Sequence, residues 1–165
     1  MQSTKFLQSA VLASTLLAAG LLSLSAHAAD ISLGSASIVQ SGDFNIASIE
    51  QHSSGNVESN IASIKQTGDN NLATIAQTGA NNKADVTQTG HGNSVDLAQD
   101  GTANTFSAYQ AGAENRILAS QYGGALATLS QTGTNNSITL YQGAGQNIAY
   151  VAQSGNGNTA VIKQR

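Results

Sequence analysis

The positions along this chain alternate. In Asn71-Leu72-Ala73-Thr74-Ile75-Ala76-Gln77, residues 71, 73, 75 and 77 read Asn, apolar, apolar, Gln. The same set recurs as Asn136, Ile138, Leu140, Gln142 and as Asn158, Ala160, Ile162, Gln164. Four residues before each recurring Gln stands Ala, Val, Ile or Phe; two before stands Ile, Val, Leu or Ala. The residues between them vary: Lys83, Asp85 and Thr87 in one unit, Ser137, Thr139 and Tyr141 in another. Period two over seven residues predicts a β-strand. The uniform face is the one predicted to point inward.

Each such strand is one copy of an internal repeat. Gln recurs at Gln40, Gln51, Gln66, Gln77, Gln88, Gln99, Gln110, Gln121, Gln131, Gln142, Gln153 and Gln164. Six residues earlier stands Asn, at Asn45, Asn60, Asn71, Asn82, Asn93, Asn104, Asn115, Asn136, Asn147 and Asn158, with Gly34 and Ala125 as exceptions. Two residues after the Gln stands Gly, at Gly42, Gly68, Gly79, Gly90, Gly101, Gly112, Gly123, Gly133 and Gly155, with Ser53 and Ala144 as exceptions. The consensus is Q-x-G-x-x-N-x-A-x-I-x-Q. The spacing is 11 residues except for 15 between Gln51 and Gln66 and 10 between Gln121 and Gln131.

The four residues left over, such as Thr78-Gly79-Ala80-Asn81, are expected to turn the chain, because Gly and Asn tolerate positive φ. If each strand reverses direction there, two units make a 22-residue coil. Stacked coils then place each strand roughly 4.8 Å above its equivalent. The expected fold is all-β: a two-sheet β-solenoid, or β-helix, of about six coils with cross-β stacking. Inward amides cost free energy unless hydrogen-bonded. Here an identical amide lies one coil above and another below, so the Asn and Gln columns are expected to pair as ladders. The end coils expose unpaired strand edges, and the chain has no Pro to blunt them. Such edges template further strands. A head-to-tail contact that does not close gives a filament.

Composition narrows the function. Only 9% of residues are charged and the net charge is -3, which disfavours nucleic-acid binding. Cys is absent, which excludes disulfides, thiolate metal sites and a cysteine nucleophile. The N-terminus reads as a signal peptide, residues 1–28: a basic start at Met1 to Lys5, an apolar run from Phe6 to about Leu24, and Ala26-His27-Ala28 before the cut. Ala29 is the alternative cleavage position. Residues 29–35 are a short N-terminal segment and 36–165 the repeat domain.

The tandem pattern Q-x-G-x-x-N-x-A-x-x-x-Q over residues 36 to 164 resembles the curlin repeat of bacterial curli fibres. The resemblance implies a secreted functional amyloid on the bacterial cell surface, exported through an outer-membrane channel with accessory proteins. It also implies self-assembly, a second curlin subunit as partner, and a role in adhesion and biofilm matrix. The major subunit of that family usually carries Ser at the first inward position of alternate strands and a Gly-rich leader. Here Asn fills that position in nearly every unit and residues 29–36 are not Gly-rich. Those departures, and the Gln164-Arg165 ending, favour the minor, nucleating kind.

No constellation points to catalysis. His52 and His91 are isolated in turns, and His27 leaves with the signal peptide. Asp43, Asp69 and Asp100 also fall in turns, without the G-G-x-G-x-D signature of calcium-binding solenoids. Turn chemistry and charge against premature aggregation account for them. No nucleophile elbow or phosphate-cradling loop occurs, and no cofactor, metal or small-molecule substrate is expected. Outward Thr74, Thr87 and Thr159 occupy different columns, which breaks the flat array an ice-binding solenoid needs. The main rival reading is a soluble, monomeric β-solenoid that binds a partner with its outer face. Two others are a solenoid enzyme and a chain disordered until it meets a template.

Overall fold

The computed structural model describes residues 11–17, 34–53 and 59–165. Among the described residues thirteen strands follow one another: β1 Val11–Leu17, β2 Ser35–Ser41, β3 Ile46–Ser53, β4 Ile61–Asp69, β5 Leu72–Ala80, β6 Lys83–His91, β7 Ser94–Thr102, β8 Thr105–Ala113, β9 Arg116–Tyr122, β10 Leu126–Thr134, β11 Ser137–Gln142, β12 Ile148–Asn156 and β13 Thr159–Gln164. There is no helix among the described residues.

From β2 onward the strands alternate between two sheets. One has the order β1-β2-β4-β6-β8-β10-β12 and the other β13-β11-β9-β7-β5-β3. All pairings are parallel, and from β2 to β11 each strand pairs with the one two places further along. Twelve strands in this arrangement make six coils, which is the expected two-sheet solenoid. The register is that of the repeat: Gln66 lies beside Gln88, and Gln77 beside Gln99.

Most of the segment read as a signal peptide lies outside the described residues. The exception is β1, whose backbone lies parallel to β2 with Val11 beside Ser35 and Leu17 beside Ser41. Residues 54–58, which hold much of the insertion between Gln51 and Gln66, also lie outside.

The core is the thin layer between the sheets. It runs from Ile38 to Ala149 and contains Ala73, Ile75, Val86, Leu97, Phe106, Ile117, Leu129 and Leu140, all buried. Burying one such large side chain contributes about 1.5–3 kcal/mol. Most strands pair a large inward residue with a small one: Ala73 with Ile75, Phe106 with Ala108, Ile117 with Ala119, Ala127 with Leu129. Val95 with Leu97 and Ile138 with Leu140 are the pairs with two large residues.

One detail departs from expectation. Thr78-Gly79-Ala80-Asn81 is not a four-residue turn, because β5 keeps its parallel pairing through Ala80. The chain bends at two left-handed residues instead, Gly79 (φ 101°) and Asn81 (φ 57°). The stacked neighbour satisfies the backbone groups that a free turn would expose to water.

Candidate functional site

The buried polar residues form the columns the repeat implies. Gln66, Gln77, Gln88, Gln110, Gln121, Gln131 and Gln142 have no exposed surface, nor have Asn60, Asn82, Asn93, Asn104 and Asn115. Among the described residues no buried side-chain nitrogen or oxygen lacks a hydrogen-bond partner.

Two glutamine ladders run the length of the molecule. On the β2 sheet, Gln40 Nε2 donates to Gln66 Oε1 at 2.6 Å, Gln66 to Gln88 at 2.8 Å, Gln88 to Gln110 at 2.9 Å, Gln110 to Gln131 at 2.9 Å and Gln131 to Gln153 at 2.9 Å. On the β3 sheet the chain of donation is Gln51, Gln77, Gln99, Gln121, Gln142, Gln164, at 2.7 to 3.0 Å. Every rung donates towards the C-terminal coil. The second hydrogen of Nε2 fixes that direction, because it reaches a backbone carbonyl of the opposite sheet. Gln77 donates to Ile61 O at 3.1 Å, and Gln88 to Leu72 O at 3.0 Å. An amide turned the other way would set oxygen against oxygen.

The asparagine ladders run in the opposite sense. Asn93 Nδ2 and its backbone N–H both donate to Asn71 Oδ1, each at 3.1 Å. Asn115 does the same to Asn93, and Asn158 to Asn136. Nδ2 also closes the arc, since Asn93 Nδ2 donates to Gly112 O at 3.0 Å. On the other side Asn60, Asn82 and Asn104 stack likewise, and then Ala125 breaks the column. Its backbone N–H still donates to Asn104 Oδ1 at 3.1 Å, but it contributes no amide of its own. Asn147 above it donates instead to Gly143 O at 2.9 Å.

The glycines stack on one another for a reason beyond φ. A Cβ added at Gly79 would lie 2.0 Å from Gly101 O, and one at Gly133 would lie 2.0 Å from Gly155 O. Gly42, Gly68, Gly90 and Gly112 make the same close approach to the next glycine carbonyl, whereas Gly101 and Gly123 do not. Where the repeat has Ala144, the positive φ passes to Gly145 (φ 128°). Where it has Ser53, the hydroxyl accepts from Asn60 Nδ2 at 3.2 Å. The Gln residues named from the sequence all stand in the two ladders, whereas Asn147 makes no rung and Gly123 has no stacked neighbour within 4 Å of a Cβ position.

Three features lie outside the repeat reading. Phe44, Ala103 and Glu114 take positive φ (55° to 60°) without being Gly or Asn. The stacked arcs hold them there. On the outer face near the C-terminal end, Tyr122 and Tyr141 rings lie 5.5 Å apart, and Lys163 Nζ lies 5.8 Å from the Tyr141 ring. At the other end, His52 Nε2 lies 2.8 Å from Glu50 Oε1. His52 and His91 sit on different sheets, and no group of three His, Cys, Asp or Glu converges on one point among the described residues.

Residues 58–90, 90–123 and 133–165 each match the family model described as curlin associated repeat. Together the three matches cover more than half of the chain. No curated protein matches it significantly.

Proposed function

This chain belongs to the curlin family, and on that premise we propose that it is a secreted structural subunit of curli-type amyloid fibres. In this reading residues 1–28 are removed, and the remaining chain leaves through an outer-membrane channel with its accessory proteins. It then polymerises, or nucleates the polymerisation of the other curlin subunit, at the cell surface. The fibres serve adhesion and the biofilm matrix. The Asn-filled inward position favours the nucleating role. Family and fold are those of a structural protein, and the proposal assigns no catalytic residue, cofactor or metal.

One observation carries the reading: the ladders do not close within the chain. Of the four inward apolar residues of the last coil, Val151, Ala160 and Ile162 are only partly buried and Ala149 alone is buried, whereas Leu129, Ile138 and Leu140 one coil below are fully covered. Neither end is capped by a helix among the described residues. A further coil from another copy supplies the missing cover and the missing rungs.

The test is a thioflavin T time course on the secreted chain, residues 29–165, in neutral buffer. The proposal predicts a lag and a sigmoidal rise, with the lag abolished by preformed seeds. Shortening the lag of a major-type curlin would support the nucleating role. A flat trace with a folded β spectrum would instead indicate a capped monomer that binds through its outer face.

A further inference from the structure

We infer that copies join with the last coil (β12 and β13) of one laid on the first coil (β2 and β3) of the next, in the register the chain keeps internally, and that Lys163 facing Glu50 across this junction sets polarity and register. The inference rests on the fibre-subunit reading. It adds which ends meet and which residues oppose one another.

Carrying the pairing two strands beyond β12 and β13 places Gln153 beside Gln40 and Gln164 beside Gln51. Inside the fold, Val151 then covers Ile38, Ala160 covers Ala47 and Ile162 covers Ile49. Each contact repeats one found within the chain, where Ile138 stacks on Ile117 and Leu140 on Ala119. The glutamine donors point the same way. Gln153 and Gln164 lie at the donating end of their ladders, and Gln40 and Gln51 at the accepting end. Two C-terminal coils placed together would set donor against donor.

Charge selects the same arrangement. All nine acids lie between Asp30 and Glu114, whereas the residues beyond hold Arg116, Lys163 and Arg165 and no acid. The extended register sets Lys163 beside Glu50, Arg165 beside His52 and Asn156 beside Asp43, so no like charges oppose. Both principal groups stand on the outer face of the β3 sheet. Glu50 is exposed beside His52, and Lys163 stands near the Tyr141 ring. A one-residue slip would turn the Lys163 side of β13 away from Glu50 and bury it.

The β2 edge already takes a parallel strand within this chain. β1 pairs along its whole length. It occupies the place where β12 of a neighbouring copy would lie. Loss of the leader frees that half of the junction.

The test compares seeded elongation of the secreted chain with Glu50→Lys, with Lys163→Glu, and with the two variants mixed in equal amounts, at low ionic strength. Each variant alone opposes like charges at every junction. An exposed pair contributes little singly, so reversal should slow growth by about three- to tenfold. In the mixture each variant meets its complement, and the rate should return to that of the unaltered chain as an alternating copolymer. Two slow variants with no recovery on mixing would overturn the inference, as would two unaffected ones. Should neither variant grow at all, Ser48→Cys with Val161→Cys decides. The register sets these outward positions side by side, in a chain without other cysteines, and at opposite ends of one copy. Oxidised fibres should then give disulfide-linked multimers, and fibres yielding only monomers would overturn it. Failure of the unaltered chain to form fibres would refute the fibre reading itself, a result distinct from either of these.

Discussion

Gln110 and Gln131 are 21 residues apart, one short of the repeat, yet Gln110 Nε2 donates to Gln131 Oε1 at 2.9 Å. Gln40 and Gln66 are 26 apart, and their rung measures 2.6 Å. Both coils whose spacing departs from the pattern therefore keep the ladder intact. The strands keep register across both departures, because a shift of one residue along a strand would expose the core face and bury the variable one. The stacked amides and the apolar layer, not the turn length, define the register.

Gln88 is the clearest place to test that claim. It accepts from Gln66 and donates to Gln110 and to the Leu72 carbonyl. Gln88→Ala strands these partners in the interior, at about 1–3 kcal/mol for each unmet group. The denaturant midpoint for fibre dissolution should fall markedly. Gln51→Ala and Asn158→Ala strike the terminal rungs and should mainly slow seeded growth; unchanged elongation in both would count against the ladders.

Ala125 offers the opposite experiment. It is buried in the asparagine column between Asn104 and Asn147. Ala125→Asn supplies the missing rung, and a net hydrogen bond contributes about 0.5–1.5 kcal/mol. Dissolution should require more denaturant than for the unaltered fibre. A lower midpoint would show that the shortened arc at Gly123-Gly124 has no room for the amide.

The glycines separate space from conformation. Gly133→Ala meets the Gly155 carbonyl at 2.0 Å and a φ of 118°, and should abolish ordered growth. Gly157 has a φ of 70° and nothing within 4 Å, so Gly157→Asn should elongate nearly as the unaltered chain does. Equal damage from both, read by thioflavin T elongation, would refute the stacking argument.

Core volume gives a fourth prediction. Phe106→Ala empties a fully buried site, which typically costs about 3–5 kcal/mol. Phe106→Ala with Ala108→Ile recreates the Ala–Ile pairing of Ala73 and Ile75 and should recover much of the loss. Solubilisation midpoints of the two variants against the parent measure it.

Much of this was legible in the sequence because the fold is one motif repeated. The period-two pattern around Gln77 identified the strand and its inward face. The 22-residue coil followed from two such units, and the identity of successive Gln and Asn residues implied the ladders. What the pattern could not supply depends on neighbours one coil away. The Asn93 amide bonds the Gly112 carbonyl across the arc, which no spacing within one unit announces. Ala103 and Glu114 adopt left-handed backbone only because the stacked arcs hold them, against their local preference. The strand pairing that persists through Gly79 to Ala80 likewise belongs to the stack. The placement of β1 beside β2 was invisible too, since an apolar leader carries no register signal.

The most direct test of the account is the mass per length of isolated fibres, measured by dark-field electron microscopy. Six coils at roughly 4.8 Å each set one chain about every 29 Å of protofilament when copies stack end to end. That value is the expected result. One chain per roughly 4.8 Å would mean that each copy forms a single layer, and the solenoid could not then be the fibre's building block.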